Sequence, residues 1–239
     1  SHFFRQNFSQ VTNPPIDSLR ENEVMSLKTR FGNLGNILDF ENLTKDNIYV
    51  LEGPILSNSQ YEKFLDFFKD KTKVLDSTFD IQNSLKKSLE DLCFQAEIAV
   101  REGYKHLILS DKKISKSRIP IPMILAFGAV NSKLVNLGIR GFTSINVQTA
   151  ETLDTHSFAV LLGIGATTIN PYLVFDSIYQ RYEKNLFGKF SYEECVKRYI
   201  KSVDNGLLKI MSKMGISVLS SYRGGCNFET VGLSRAIVA

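Results

Sequence analysis

From about Ile48 onward the chain alternates short apolar runs with longer amphipathic stretches, and this alternation restricts the fold more than any other feature. Several of the short runs are rich in branched residues and do not alternate with polar residues, which is typical of strands buried on both faces. Repeated strand–helix units predict an α/β fold with a mostly parallel sheet of βα repeats. Because the units are too few for an eight-unit barrel, we expect an open sheet or a partial TIM-barrel-like structure. The predicted strands span residues 49–51, 73–76, 106–109, 144–148, 167–170 and 216–219.

The amphipathic stretches carry signals for the beginnings and ends of helices. Three Ser-x-x-Glu segments, beginning at Ser18, Ser59 and Ser191, have the spacing of a capping box. The stretch after Ser84 places its leucines and alanines on one stripe, and Gly103 follows where a helix would end. One predicted helix follows Ser18 and another follows Ser59. Four more are predicted over residues 84–102, 122–138, 153–163 and 191–214.

We expect one domain over residues 1–239, in which a βα core over 49–239 carries an irregular or helical N-terminal appendage over 1–48. The segment Asn13-Pro14-Pro15 is incompatible with a helix interior, since proline lacks an amide donor and pushes the preceding residue towards extended geometry. A chain of 239 residues, 43% of them hydrophobic and 23% charged, can bury a large core.

Composition argues against several classes of function. The 29 basic and 25 acidic residues give a net charge of only +4, and the most basic stretch, residues 111–118, is interpreted as a solvated loop rather than a nucleic-acid site. The chain contains no run of about 18 apolar residues, so no membrane-spanning helix is predicted. Cys93, Cys195 and Cys226 are far apart, which argues against a disulfide framework or a metal site and favours a cytoplasmic location.

Small polar residues follow most of the predicted strands. In parallel α/β folds ligands lie beyond the carboxyl ends of the strands, so a ring of such residues is a candidate binding site. The same residue types also cap the helices that follow, and we favour that interpretation. The strand ends in question are Asp76-Ser77, Ser110-Asp111, Gln148-Thr149, Asn170 and Ser220-Ser221.

Other candidate motifs are weak. Asp154 and His156 are two residues apart and would point to different faces of a helix, so they do not predict an acid–base pair. Gly163-Ile164-Gly165 follows a predicted helix, whereas a dinucleotide motif follows a strand. Arg223 offers a fork of donors that could bind an anion, although a structural turn or a domain contact is favoured. We therefore assign no catalytic, cofactor-binding or metal-ligating residue.

Three long segments together form a recognisable pattern. They are Phe8-Ser9-Gln10-Val11-Thr12-Asn13-Pro14-Pro15-Ile16-Asp17, Leu161-Leu162-Gly163 with Asn170-Pro171-Tyr172-Leu173, and 206–217 continuing into Ser221-Tyr222-Arg223-Gly224. In these segments the chain resembles the central domain of the glutamate synthase large subunit. The segments occur in the family's order and extend over nearly the whole chain. The sequence departs from the family pattern at Asn131-Ser132-Lys133 and at Gly225-Cys226-Asn227, where a conserved role for the side chains is not expected.

The resemblance implies a domain that joins two reaction centres and has no catalytic residue of its own. In this family an N-terminal domain hydrolyses glutamine, and a later FMN-binding barrel with a 3Fe–4S cluster reduces 2-iminoglutarate to glutamate. Ammonia passes between them through an internal tunnel. The central domain is similar to a reduced FMN barrel. The implied partners are the glutaminase and FMN-binding domains, with ferredoxin or another electron-donor subunit, while FMN and the 3Fe–4S cluster lie outside this chain.

Gln10, Val11, Thr12 and Asn13 are the residues that we expect near the tunnel wall, because a proline-stiffened irregular segment suits a rigid path. Arg223 is the residue that we expect at a domain contact. A role for residues 10–13 in locking the fold is equally compatible with the sequence. Two other hypotheses stay open. One is an independent small-molecule or anion-binding module that uses the strand ends, and the other is a purely architectural domain.

Overall fold

The structure, a computed structural model, describes residues 3–8, 16–17, 19–32, 38 and 48–234, and the centre of its fold is a four-stranded parallel sheet. In chain order the strands are β1 (Phe4–Gln6), β2 (Thr29–Phe31), β3 (Tyr49–Leu51), β4 (Thr72–Asp76), β5 (Thr78–Asp80), β6 (His106–Ser110), β7 (Arg118–Pro120), β8 (Ser144–Gln148), β9 (Ile169–Asn170) and β10 (Phe228–Thr230). The helices are α1 (Glu21–Val24), α2 (Asn58–Phe67), α3 (Leu85–Arg101), α4 (Met123–Asn136), α5 (Thr155–Gly163), α6 (Tyr172–Glu183), α7 (Tyr192–Lys213) and α8 (Leu219–Tyr222).

The parallel sheet has the order β4-β6-β8-β9, and successive strands are connected through α3, α4 and α5. Residues 54–56 extend it beyond β9, since the amide of Ile169 donates to the carbonyl of Pro54 at 2.8 Å and the amide of Leu56 donates to the carbonyl of Ile169 at 2.9 Å. Within the described ranges β4 is not paired with this added segment, so the sheet is not closed into a barrel. The predicted α/β fold with βα repeats is confirmed.

The two faces of the sheet pack against different cores. On one face, Leu107 and Leu109 of β6 belong to the main hydrophobic core, which also includes buried residues of α3, α4 and α5. On the other face, Ile108 packs with Phe31 of β2 and Phe64 of α2 in a second cluster. Side chains alternate along a strand, so every second residue of the sheet faces α2. That alternation also determines which polar residues come together at the sheet's carboxyl edge.

Most predicted strands are present, but the predicted strand over 216–219 is wrong. The helix α7 ends in a turn in which the amide of Ile216 donates to the carbonyl of Met211 at 3.0 Å. Gly215 allows that turn because its φ is +69°, a conformation that favours glycine. Only Val218 then forms a bridge, to Ser26, before α8 begins at Leu219. Most of the short apolar run therefore follows directly on the turn that ends α7 and does not form a strand. The strand β3 is also present, but it pairs antiparallel with β2 in a separate two-stranded sheet and not with the parallel sheet.

The helix predictions need three corrections. The capping box of α2 is formed by Ser57 and not by Ser59, because Ser57 Oγ accepts from the amide of Gln60 and the Gln60 side chain accepts from the amide of Ser57. The helix predicted after Ser18 is a single turn, α1, and Ser18 itself lies outside the described residues. The helix α6 was not predicted, although Pro171 directly before its first turn is a signal for a helix start. The predictions for α3, α4, α5 and α7 are confirmed to within two residues.

The described N-terminal residues contact the C-terminal part of the chain. The strand β1 pairs antiparallel with β10, and the amide of Ser26 donates to the carbonyl of Ser217 at 2.8 Å. The division between an appendage over 1–48 and a core over 49–239 stays a prediction, since residues 33–37 and 39–47 lie outside the described ranges.

Candidate functional site

Polar side chains at the carboxyl ends of β6, β8 and β9 form a continuous hydrogen-bonded chain. Ser110 Oγ donates to Gln148 Oε1 at 2.7 Å, and Gln148 Nε2 donates to Asn170 Oδ1 at 3.1 Å. Asn170 Nδ2 then donates to the carbonyl of Leu56 at 2.9 Å and to Asn58 Oδ1 at 3.0 Å. The strand register explains the row, because it places Ser110 opposite Gln148 and Gln148 opposite Asn170. These buried polar groups therefore satisfy one another.

Asp111, directly after β6, is fully buried and is held by donors from the next strand-to-helix connection. Its carboxylate accepts from Thr149 Oγ1 at 2.6 Å and from the amide of Ala150 at 3.1 Å. The Tyr172 hydroxyl is also hydrogen-bonded to it. Burial raises the pKa of Asp111, and these hydrogen bonds oppose that rise by stabilising the charged form. Burial also raises the pKa of Tyr172, and the neighbouring Asp111 charge adds to that rise. Asp111 thus joins the end of β6 to the β8 connection and to α6.

Asp76, at the end of β4, connects the parallel sheet to the small antiparallel sheet formed by β5 and β7. Arg118 Nη2 donates to Asp76 Oδ2 at 3.1 Å, and Arg118 Nε donates to Thr78 Oγ1 at 2.9 Å. Thr78 in turn donates from its amide to Asp76 Oδ1 at 2.9 Å. The carboxylate therefore accepts hydrogen bonds from a residue of β5 and a residue of β7, which gives it a structural role.

Most of the polar strand ends are used in internal contacts, but they do not cap the helices that follow, so the capping interpretation that we favoured from the sequence is wrong for them. The N-caps of α3, α4, α5 and α6 are instead Ser84, Pro122, Asp154 and Pro171. Ser77 Oγ, directly after β4, is buried without a partner among the described residues. Ser220 and Ser221 are an exception, because they lie within α8 and not at a strand end. A flavin needs free donors for its phosphate and ring, whereas the groups of Ser110, Gln148 and Asn170 are paired with one another. This edge of the described sheet does not fit FMN.

Arg223 lies near the opposite, amino-terminal edge of the sheet. Its Nη2 donates to Thr29 Oγ1 at 2.7 Å and to the carbonyl of Thr167 at 2.7 Å, which joins β2 to the turn before β9. Its buried Nε has no hydrogen-bond partner among the described residues, and no described carboxylate forms an ion pair with it. Burial lowers the pKa of Arg223 to about 10. The candidate anion-binding residues Ser110 and Asn170 at the strand ends, and Arg223, therefore lie at opposite edges of the sheet.

Gln10, Val11, Thr12 and Asn13 lie outside the described residues. The chain is anchored on both sides of them. Before the segment, Gln6 accepts a hydrogen bond from the Tyr222 hydroxyl at 3.1 Å, and after it Ile16 packs against the main core. Their position relative to a tunnel stays a prediction.

His106 serves packing between β6 and the aromatic cluster of β2 and α2. His106 Nδ1 is 2.8 Å from Ser144 Oγ, and its ring lies against Phe31, Phe64 and Phe68. Burial lowers the pKa of His106 to about 4, and the Lys71 charge contributes, so the ring is neutral at physiological pH. Asp154 accepts from the amide of Ser157 at the start of α5, so it is a helix cap. The described residues contain no group of three or more His, Cys, Asp or Glu side chains arranged to hold a metal ion.

Sequence reasoning missed a second polar row, near the middle of the sheet. Asn146 accepts from Thr168 Oγ1 at 2.7 Å and donates to Ser144 Oγ at 3.0 Å. The signal was an asparagine within an otherwise apolar strand, since a buried amide requires hydrogen-bond partners. None of the helices in the described ranges combines the length and the apolar character that crossing a bilayer requires.

Comparisons with known proteins add a family relationship to this geometry. The family model for the glutamate synthase central domain matches residues 1–234. The glutamate synthase [NADPH] large chain of Azospirillum brasilense is 54% identical over 241 residues, which cover 100% of this chain and 16% of that protein. The chloroplastic ferredoxin-dependent glutamate synthase of Oryza sativa subsp. japonica is 42% identical over 251 residues, covering 99% of this chain and 16% of that protein.

A solved structure is also similar in part. A flavocytochrome b2 variant with sulfite bound aligns with a TM-score of 0.42 and 16% identity over 75% of this chain and 42% of that chain.

The Bacillus subtilis (strain 168) glutamate synthase [NADPH] large chain is 40% identical, and the aligned region covers 99% of this chain and 16% of that protein. The chain thus spans about one sixth of the length of these glutamate synthase relatives.

Proposed function

The chain belongs to the glutamate synthase central domain family, and from that premise we propose that it joins the glutaminase domain to the FMN-binding domain and helps to enclose the ammonia path between them. Glutamate formation is then the activity of the whole enzyme, an oxidoreductase. We propose that this chain contributes positioning and solvent exclusion, and that it is inactive in isolation.

The observation that carries this proposal is the family match over residues 1–234, together with the state of the sheet's carboxyl edge. That edge is where α/β enzymes usually bind substrates. Here Ser110, Gln148 and Asn170 are buried and bonded to one another, and Asp111 is held by Thr149 and Ala150. Such an arrangement favours a scaffold over a site that binds a substrate of its own.

The cofactors and the electron donor belong, in this proposal, to other parts of the enzyme. FMN and the 3Fe–4S cluster are assigned to the neighbouring domain, where they would supply the reduction. The names of the relatives include both NADPH-dependent and ferredoxin-dependent enzymes, so the linking role is proposed to be common to both donors. Cys93, Cys195 and Cys226 are free, which suits a reducing compartment, and the cytoplasm is the proposed location.

A path for ammonia must exclude bulk water, because ammonia that reaches water at neutral pH is mostly protonated and lost to the reaction. We propose that Gln10, Val11, Thr12 and Asn13 contribute to its wall, since proline restricts the conformation of the segment that follows them. Arg223 is the proposed domain contact. Its partnerless buried Nε and its uncompensated charge support that role.

The test is Thr12→Trp in the intact enzyme, with glutamine hydrolysis and glutamate formation measured together. A bulky side chain in the path should let glutamine hydrolysis continue, lower the glutamate formed per glutamine, and release free ammonia. The matched control is Lys87→Trp, on the exposed first turn of α3, which should keep both activities coupled. Full coupling in the Thr12 variant would exclude Thr12 as a constriction and would favour a purely architectural role.

A further inference from the structure

A cavity of about 580 Å³ lies at the amino-terminal edge of the parallel sheet, opposite the paired polar residues of the carboxyl edge. Its walls come from β2, from the segments directly before β4, β6 and β8, and from Thr167 before β9. Its volume is within the range of small-molecule sites in proteins. The proposed linking function makes no use of it.

Positive charge dominates this cavity. Arg30, Lys71, Lys105 and Arg140 line it, and no carboxylate is among the described lining residues. None of these four side chains forms an ion pair with another described residue. The amide of Lys105 donates to the carbonyl of Lys71 at 2.8 Å, so the backbones of the two lysines lie side by side. Four cations from four chain segments therefore converge on one concave space.

One of these charges is held rigidly in the wall. Arg140 donates from Nε to Asn131 Oδ1 at 2.8 Å, from Nη1 to the carbonyl of Thr143 at 2.7 Å, and from Nη2 to the carbonyl of Gly165 at 3.3 Å. All three acceptors are neutral, and burial lowers the pKa of Arg140. A guanidinium with neutral partners keeps its positive charge, which an anion in the cavity would compensate.

A second buried guanidinium lies behind the same wall. Arg223 donates to the carbonyl of Thr167, and Thr167 lines the cavity. Arg223 Nε is buried without a partner among the described residues, so this charge is also uncompensated. The two arginines bond to carbonyls two residues apart, those of Gly165 and Thr167. The positive potential of the cavity therefore comes from the buried Arg223 behind its wall as well as from the exposed lysines that line it.

We propose that this cavity binds a phosphate-type anion with more than one negative charge. Phosphate oxygens accept from guanidinium and ammonium groups in the geometry that arginine and lysine offer. The space is larger than one phosphate requires, so a diphosphate or a phosphorylated small molecule fits it better than a monovalent ion. Phe142, whose side chain is 63% exposed at the cavity, could cover an apolar part of such a ligand.

A free anion fits these observations better than an acidic protein segment does. Protein segments dock on broad surfaces, whereas the cations here line a concave space of small-molecule size. The shared chemistry of phosphate and carboxylate oxygens nevertheless makes a protein carboxylate the competing occupant. The test must distinguish these two sources.

The experiment is lysine acetylation footprinting of the intact polypeptide that contains this chain, with and without inorganic pyrophosphate at matched ionic strength. Mass spectrometry measures the labelling rates of Lys71 and Lys105, with Lys86 and Lys87 on exposed positions near the start of α3 as internal controls. At a pyrophosphate concentration ten times Kd, the rates at Lys71 and Lys105 should fall about tenfold, because the free site then makes up about a tenth of the protein. The control rates should not change.

The variant Arg30→Gln tests whether the cations of the cavity cause the protection by pyrophosphate. Arg30 is exposed on β2, so its loss should leave the fold intact while protection of Lys71 and Lys105 requires about tenfold more pyrophosphate. The matched control, Lys86→Gln, should leave the concentration dependence unchanged. Equal labelling with and without pyrophosphate would overturn the proposal. Strong protection of both lysines before pyrophosphate is added would also overturn it, in favour of a carboxylate supplied by the polypeptide.

Discussion

At the carboxyl edge of the parallel sheet most polar groups are paired with one another, whereas at the amino edge the charged groups have no described counter-ion. At the carboxyl edge, Ser110, Gln148 and Asn170 form one hydrogen-bonded row, and Asp111 is buried with three donors around it. At the amino edge, Lys71 and Lys105 face a cavity that no described carboxylate lines. At the first edge the polar strand-end groups are paired within the chain apart from Ser77 Oγ, which is buried without a partner among the described residues, whereas the second edge presents uncompensated charge.

A polar strand end is therefore not by itself a binding site. In-register parallel strands bring their terminal polar residues together, and such residues can bond to one another as readily as to a ligand. The cations at the amino edge cannot do so, because lysine and arginine carry donors only. Arg140 and Arg223 bond to neutral acceptors of the chain, so an anion that neutralises these cations must come from outside the described residues. The following predictions test this contrast.

Asp111→Ala should have the largest effect, a loss of about 2–4 kcal/mol in the free energy of unfolding, because buried donors of Thr149, Ala150 and Tyr172 lose their acceptor. Urea unfolding of the chain measures it. The control Asp91→Ala, at an exposed position of α3, should change stability by less than about 0.5 kcal/mol. Similar small effects for both variants would mean that the carboxyl edge is not held together by its hydrogen bonds.

Asn170→Ala should come next, with a loss of about 1–3 kcal/mol, since Gln148 Nε2, the carbonyl of Leu56 and Asn58 Oδ1 each lose a partner. Hydrogen exchange should also be faster at the amides of β8, next to the broken row. The control is Asn205→Ala, at an exposed position of α7, with an expected change within about 0.5 kcal/mol. An Asn170 variant as stable as its control would break the proposed contrast between the edges.

Asp204 lies outside both edges of the sheet, and it shows what happens when a carboxylate is buried without hydrogen-bond partners. Asp204 of α7 lines a cavity of about 260 Å³, its Oδ1 is buried without a partner among the described residues, and burial raises its pKa to about 6. The folded chain therefore keeps the proton where the unfolded chain has released it, so this group lowers stability as pH rises from about 4 to about 6.

Asp204→Asn should consequently stabilise the chain by about 1–2 kcal/mol near pH 8, an effect opposite in sign to that of Asp111→Ala. The gain should shrink below about pH 6 and be small near pH 4, where Asp204 is protonated in the folded chain and about half protonated in the unfolded chain. Urea unfolding of both proteins at a series of pH values measures this difference. A variant that is less stable at every pH would show that Asp204 has a stabilising partner.

The smallest effect is expected at the amino edge itself. Lys71→Gln with Lys105→Gln should change the free energy of unfolding by less than about 0.5 kcal/mol, because neither side chain forms an ion pair with a described residue. A slight gain at low salt, decreasing as salt is added, would reflect relieved repulsion between like charges. The control is Lys86→Gln with Lys87→Gln. A loss above about 1 kcal/mol in the first pair alone would mean that these lysines already have partners within the chain.

Local sequence signals were sufficient for much of the framework. The strands β6 and β8 and the helices α3, α4, α5 and α7 were predicted to within two residues. Apolar periodicity and capping residues act over a few neighbouring positions, so they can be read without the rest of the molecule. The errors arose where several local readings compete. Ser57 and Ser59 both suit a helix start, and the apolar run at 216–219 follows directly on a helix end.

The candidate sites depend on contacts between distant parts of the chain. Arg223 was singled out from the sequence, but its partners Thr29 and Thr167 are 194 and 56 residues away. The cations of the cavity are likewise spread from Arg30 to Arg140. No local pattern joins such positions, because only the sheet register and the packing of the connections bring them together.

The α/β class, the order of most βα units and the family resemblance could thus be predicted without coordinates, since they follow from local periodicity and from residues that stand next to one another. The tertiary structure alone decided that the polar strand ends bond to each other while the basic residues of the other edge surround a cavity. The physical reason is that a hydrogen bond or an ion pair requires two groups within a few ångströms, and for these groups the folded sheet sets that distance.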